Sequence, residues 1–189
     1  MKAAAGQMNM RLGISPVSWT NDDLPELGRE NSFEKCIDEM ALAGYEGTEI
    51  GNKFPKVGQV LKTALAQRGL SICNAWFSTW FTTGPENETI EAFIKHRDFL
   101  LFQGASVIGC SEQGNSIQGK PLPIFQDKPV FSDQQWRQVI CGMNHLAELA
   151  EEKGMKVCVH HHMGTGIQTP EEIDYFLAKI GRASCRERV

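Results

Sequence analysis

The stretch VCVHHHMGTG, Val157 to Gly166, holds three of the five histidines in consecutive positions. Side chains alternate along an extended segment, so His160 and His162 are expected on one face, together with Cys158, and His161 on the other. Two imidazoles at i and i+2 can share one divalent ion, since zinc, manganese, cobalt and iron all accept imidazole nitrogen. A catalytic ion needs about three protein ligands and an open position, so two histidines alone are insufficient. The competing reading is a pair of hydrogen-bonded histidines at a strand end. Two carboxylates join them as candidates, Glu49 in TEIG and Glu112 in CSEQ. Buried carboxylates are rare unless paired or ligating, and the alternative for each is a solvated loop acid. In NAWFSTWF, Asn74, Trp76 and Trp80 form either a sugar-stacking wall or ordinary packing. Lys53 in GNKFP either donates to an oxyanion or is a surface lysine. Asn21 to Asp23 reads as a turn and helix cap, and His96 with Asp98 as a solvent-facing helical pair.

The elements that would position these groups repeat one phrase: an amphipathic helix, a glycine, a short strand. The first helix opens at Asn31, with Glu34 in capping-box spacing, and carries Phe33, Ile37, Met40 and Ala41 on its apolar side. The second carries Val57, Val60, Leu61, Ala64 and Leu65; the third carries Ile90, Phe93, Ile94, Leu100 and Leu101. The fourth is capped by Ser132 with Gln135 and presents Trp136, Val139, Ile140, Met143, Leu146, Ala147 and Ala150. Gly44, Gly69, Gly104 and Gly154 follow these helices in the position that favours a left-handed backbone. The strands are RLGISPVSW, YEGTEIG, LSICNAWF, ASVIGCSE and KVCVHHH. Thr169, Pro170 and Glu172 start a fifth helix with Ile173, Phe176 and Leu177 on its stripe.

Such alternation predicts right-handed βαβ units and a parallel sheet. Doubly wound sheets and (β/α)8 barrels both fit, but no G-x-G-x-x-G follows the first strand. Polar or aromatic groups crowd every strand's C-terminal end: Ser18 and Trp19, Glu49, Asn74 and Trp76, Ser111 and Glu112, and the histidines. In a barrel that end builds the active site. Five strands are about the first five β/α units of a barrel of eight.

Composition excludes several function classes. A formal charge of −4, with no basic stripe, argues against nucleic-acid partners or an anionic membrane surface. No window approaches the ~20 apolar residues that span a bilayer. Six scattered cysteines with no C-x-x-C pair point to a reducing compartment, and cytoplasmic placement is expected. The ending GRASCRERV has neither an apolar stripe nor a strand pattern. Residues 1–180 are therefore read as the N-terminal part of one barrel domain, and 181–189 as a non-native tail after truncation.

The segments GISPVSWTNDDLPELG, MALAGYEGTEIGNKFP, RGLSICNAWFSTWF, GASVIGCSEQGNSIQG and GMKVCVHHHMGTGIQTPEEID together resemble inosose dehydratase, of the xylose-isomerase-like TIM barrels. The resemblance runs from about Leu12 to Ile180; the H-x-H-x-G-T element alone marks only the superfamily. It implies conversion of scyllo-inosose to a trihydroxycyclohexane-1,2-dione in myo-inositol catabolism, with cobalt or manganese as the metal and glutathione as a cofactor. The implied partner is a small cyclitol or polyol substrate, and homo-oligomerisation is left open. Superfamily relatives place a metal-binding glutamate where this chain has His160. Glu49 and Glu112 are the expected acid–base pair and His160 and His162 the expected metal ligands. Trp19, Lys53, Asn74, Trp76 and Gln168 are the expected substrate contacts. A metal-dependent ketose isomerase or epimerase on the same barrel, and an inactive fragment, are the rival readings.

Overall fold

A computed structural model of the chain describes residues 10–181 and 184–186. Seven short strands are all parallel: β1 (Gly13–Ile14), β2 (Gly47–Glu49), β3 (Ser71–Asn74), β4 (Trp76–Thr79), β5 (Val107–Glu112), β6 (Lys156–Val159) and β7 (Ser184–Arg186). They form two sheets, ordered β1-β2-β3 and β4-β5-β6-β7. The helices between them are α1 (Phe33–Leu42), α2 (Gly58–Ala66), α3 (Glu86–Gln103), α4 (Asp133–Glu151) and α5 (Pro170–Leu177). This is the expected partial barrel, with consecutive strands in parallel pairs joined by helices.

Local chemistry sets the helix ends. Ser132 and Gln135 form a complete capping box at α4, and Thr169 with Glu172 forms another at α5. At α1 the cap is Ser32, whose hydroxyl accepts from Lys35 N, rather than Asn31. Asn31 instead accepts from Lys35 Nζ and donates its amide to Trp19 O. The four expected glycine turns all have positive φ, between 69° at Gly154 and 89° at Gly44.

The core lies between the sheets and the helices. Ile37, Met40, Leu61, Phe93, Leu100, Val139, Met143 and Leu146 are all 0% exposed. Each such side chain contributes about 1.5–3 kcal/mol through burial. Three residues placed on apolar stripes face solvent instead: Val57, Val60 and Leu101.

Three strands differ from expectation. RLGISPVSW holds only two strand residues before Pro16 turns the chain into a 3-10 turn, Pro16–Ser18. LSICNAWF is two strands, broken at Ala75, and this break divides the sheet. The register slips between Thr48 and Glu49, and Glu49 pairs with Asn74. The ending also gains a strand where none was expected, because Ser184–Arg186 pairs with Val157–Val159 of β6.

Candidate functional site

Parity along the strands divides the side chains. Phe77 and Thr79 of β4, Ile108, Cys110 and Glu112 of β5, and Val157 and Val159 of β6 are all buried on the side that carries the helices. Trp76 and Ser78, Gly109 and Ser111, and Cys158 followed by His160 alternate with them onto the inner side. The inner face ends in an aromatic and imidazole cluster. The Trp76 indole lies edge-on to His160 and His162, with ring centroids 5.4 and 5.6 Å away. His160 and His162 are 5.7 Å apart, and His161 stacks on His160 at 5.9 Å. The histidines follow β6 rather than extend it, and Trp76 meets both His160 and His162. His160 N still donates to Cys110 O at 2.8 Å, and His162 N donates to Ile167 O at 3.2 Å. His162 Nδ1 lies 2.9 Å from Met163 O, a carbonyl that can only accept, so Nδ1 is the donor in this contact.

At the seam between the sheets, one amide side chain reinforces the backbone bond from Gly109 N to Ala75 O, 3.2 Å long. Asn74 Nδ2 donates to Glu49 Oε1 at 2.7 Å, and Asn74 Oδ1 accepts from Gly109 N at 2.7 Å. A Cβ on Gly109 would sit 2.9 Å from Asn74 Nδ2, so the glycine makes room for the amide. Asn74 thereby fixes the Glu49 carboxylate. Burial, and then the Glu49 charge, push the nearby Cys73 thiol above its ordinary pKa.

Glu112 has the opposite setting. It is 2% exposed and shares the helix-side face with Ile108 and Cys110. Its Oε2 accepts from Thr79 Oγ1 (2.7 Å) and Phe81 N (3.1 Å); its Oε1 accepts from Thr82 Oγ1 (2.8 Å), Thr82 N (3.1 Å) and Gly114 N (3.2 Å). A carboxylate offers about four lone-pair sites, so these donors fill it. This geometry makes Glu112 the anchor of the turn after β4, and it does not join Glu49 at a shared reaction centre.

Other expected contacts are also structural. Lys53 Nζ donates to Gly28 O, Arg29 O and Asn31 O at 3.0, 3.0 and 2.6 Å, which uses all three of its protons. Trp19 packs on the core and donates Nε1 to Glu39 Oε2 at 2.6 Å, toward α1. Gln168 braces two loops, accepting from Gly164 N at 2.5 Å and donating to Ile124 O at 3.2 Å. His96 is not solvent-facing: it lies 5.3 Å from the Phe77 ring, and its buried Nε2 has no hydrogen-bond partner among the described residues. Burial lowers its pKa, with the Ala75 backbone bond opposing that shift.

A cleft of about 680 Å³ opens beside the cluster. Asp22 and Asp23 from the β1–α1 loop and Asn52 from the β2–α2 loop form one side. Trp76, Ser78 and Trp80 also line it, as do Gln113, Asn115, Ser116, Gln118 and Lys120 from the β5–α4 loop. Side chains clasp the rim: Asp22 accepts from Asn52 N, and Asp23 Oδ2 accepts from Gln118 Nε2 at 2.8 Å. Asn21 accepts from Asp23 N and Leu24 N, the expected turn. Most of these residues were passed over in the sequence. The available signal was the length of the β5–α4 connection, since long loops in compact domains are usually functional.

Two imidazoles are short of the ligand number a catalytic ion requires. Among the described residues no cluster of three or more histidine, cysteine, aspartate or glutamate side chains could hold a metal ion. The donors present therefore do not complete a divalent-cation site. No helix among the described residues is long and apolar enough to cross a membrane.

Known proteins agree with this architecture. The chain is 61% identical to an inosose dehydratase of Glaesserella parasuis over 91% of its own length and 58% of that protein's. It is 58% identical to the Clostridium tetani inosose dehydratase, over 87% of this chain and 56% of that one. The chain thus spans little more than half the length of these curated relatives. Among solved structures, a D-allulose 3-epimerase from Methylomonas sp. superposes with a TM-score of 0.64 at 20% identity, covering 90% of this chain and 58% of that chain. A probable 3-DHS dehydratase involved in petrobactin synthesis in Bacillus anthracis gives 0.63 at 16% identity, covering 90% and 59%. Both show the fold alone. With residues 11–186 matching the family and the strands in parallel βα order, this chain belongs to the xylose isomerase-like TIM barrels.

Proposed function

We propose that the chain carries part of a hydro-lyase site that dehydrates scyllo-inosose to a trihydroxycyclohexane-1,2-dione. The observation that supports it best is the inner-face constellation of Glu49, held by Asn74, with Trp76 against His160 and His162. The identity of 61% to an inosose dehydratase supports the substrate class. A ketone acidifies its α-hydrogen, and Glu49 is the inner-face carboxylate placed to take it. The electron pair moves into a new carbon–carbon double bond as the β-hydroxyl leaves. The proton held by Glu49 departs with that hydroxyl as water, and the remaining enol tautomerises to the dione. One fixed carboxyl thus acts first as base and then as acid. His160 and His162 alone do not complete a site for the expected cobalt or manganese, so the ion is given no step here. None of the steps above depends on that ion or on glutathione.

The test is turnover of scyllo-inosose by this chain, followed by appearance of the dione. Glu49→Gln is expected to remove at least ~99% of the rate, in keeping with loss of a general base. Undiminished turnover by that variant would refute the assignment.

A further inference from the structure

We infer that Glu112 is a positioning residue: it ties the β4–α3 loop to the β5–α4 loop, and so sets Trp80 and Asn115 together at the cleft. Its bearing on activity rests on the dehydratase reading above, whereas the coupling of the two loops stands on geometry alone. Trp80 is 48% exposed, and among the described residues its indole N–H donates to no partner. Its place is therefore set by its neighbours in the chain, and both are fixed. Thr79 Oγ1 donates to Glu112 Oε2, and Thr79 O accepts from Gln113 N at 2.9 Å. Phe81 N donates to the same carboxylate oxygen. The Phe81 ring is buried against α4, where a Cβ on Gly142 would lie only 2.5 Å from it. Trp80 O then closes the turn by accepting from Gly84 N at 2.7 Å.

The other loop meets the same carboxylate. Glu112 Oε1 accepts from Gly114 N as well as from Thr82 N and Thr82 Oγ1. The loops touch so closely that a Cβ on Gly114 would fall 1.8 Å from Thr82 Oγ1 and 2.7 Å from Glu112 Oε1. Asn115 follows with a φ of 57°, a left-handed backbone that asparagine tolerates better than most side chains. Ser116 N donates to Gln113 O at 3.0 Å and closes the turn around it. Donors from both loops fill the carboxylate's roughly four lone-pair sites, which leaves none for water. A displacement of either loop is thus passed to the other.

The experiment is fluorine NMR of the full chain labelled with fluorotryptophan, the four resonances being assigned by Trp→Phe substitution at Trp19, Trp76, Trp80 and Trp136. Three variants disturb the tie from different sides. Glu112→Gln turns one acceptor oxygen into a donor that faces other donors. Gly114→Ala pushes on Thr82 from the opposite loop, and Thr82→Val removes one hydroxyl while keeping the side chain's shape. Each is expected to shift the Trp80 resonance and broaden it about twofold, while the lines of Trp19 and Trp136 keep their widths. A Trp80 line unchanged in Glu112→Gln and Gly114→Ala would overturn the inference. Where those two fail to fold, Thr82→Val decides: a Trp80 line that stays unchanged, or that moves only together with the other three, overturns it. Scyllo-inosose turnover separates the two claims. No turnover by the parent chain, with the Trp80 change present, removes the dehydration reading and keeps the coupling. Turnover with a silent Trp80 line removes the coupling alone.

Discussion

Glu49 and Glu112 both end parallel strands, yet they face opposite sides of the sheet. Glu49 is partly exposed on the inner side and is held by a single donor from Asn74. Glu112 is buried on the helix side and meets five donors from Thr79, Phe81, Thr82 and Gly114. The same residue type therefore does two jobs, and its neighbours determine which. A carboxylate with free lone pairs can exchange protons with a ligand, whereas a saturated one fixes backbone.

The comparison breaks most directly at Glu112. Replacing it with alanine leaves buried donors unpaired, and a loss of about 3 kcal/mol is expected in chemical denaturation. The same measurement on Glu49→Gln is expected to move stability by less than about 0.5 kcal/mol, since its surroundings are partly solvated. Equal losses at the two positions would dissolve the distinction. Asn74→Ala is the intermediate case. It leaves Gly109 N with the longer bond to Ala75 O, 3.2 Å, and releases Glu49, so a loss of about 1 kcal/mol is expected. Amide exchange at Gly109 should accelerate in this variant while exchange at Ile108 stays slow. The smallest effect is that of His96. Its folded pKa lies below its ordinary value of 6.5, so the unfolded chain binds the proton first. Stability is accordingly expected to fall as pH drops below about 6.5. His96→Leu should flatten this part of the profile, read as denaturation midpoint against pH.

Local chemistry explains what the sequence revealed. The boxes Ser132–Gln135 and Thr169–Glu172 are legible because each partner lies three residues from the other. The glycine turns are legible because a single backbone angle decides them. The outward direction of Glu112 was legible too, since Ile108 and Cys110 share its parity. Position at a strand end alone does not reveal it; parity does. The break at Ala75 was not legible in LSICNAWF, whose composition suits one strand throughout. At that break the Asn74 amide and the Ala75 carbonyl both meet Gly109 N, a partner more than 30 positions away. The fates of Lys53, Trp19 and Gln168 likewise depend on carbonyls and carboxylates supplied by distant loops. Asn52 and Lys120 gave no local pattern at all.

The Lys128–Glu172 contact carries a further consequence. The two side chains are 6% and 19% exposed and 2.5 Å apart, joining the loop after β5 to the first turn of α5, 44 positions on. Two backbone N–H groups, from Gln168 and Thr169, reinforce Glu172, and these partners outweigh burial to hold its carboxyl below the usual range. This stitch, with Gln168 reaching Ile124 O, joins the loops after β5 and β6 before any ligand arrives. Any ligand that bound between these loops would meet walls already in place. Little of its binding energy goes to ordering loops, and the entropy lost on association falls mainly on the ligand.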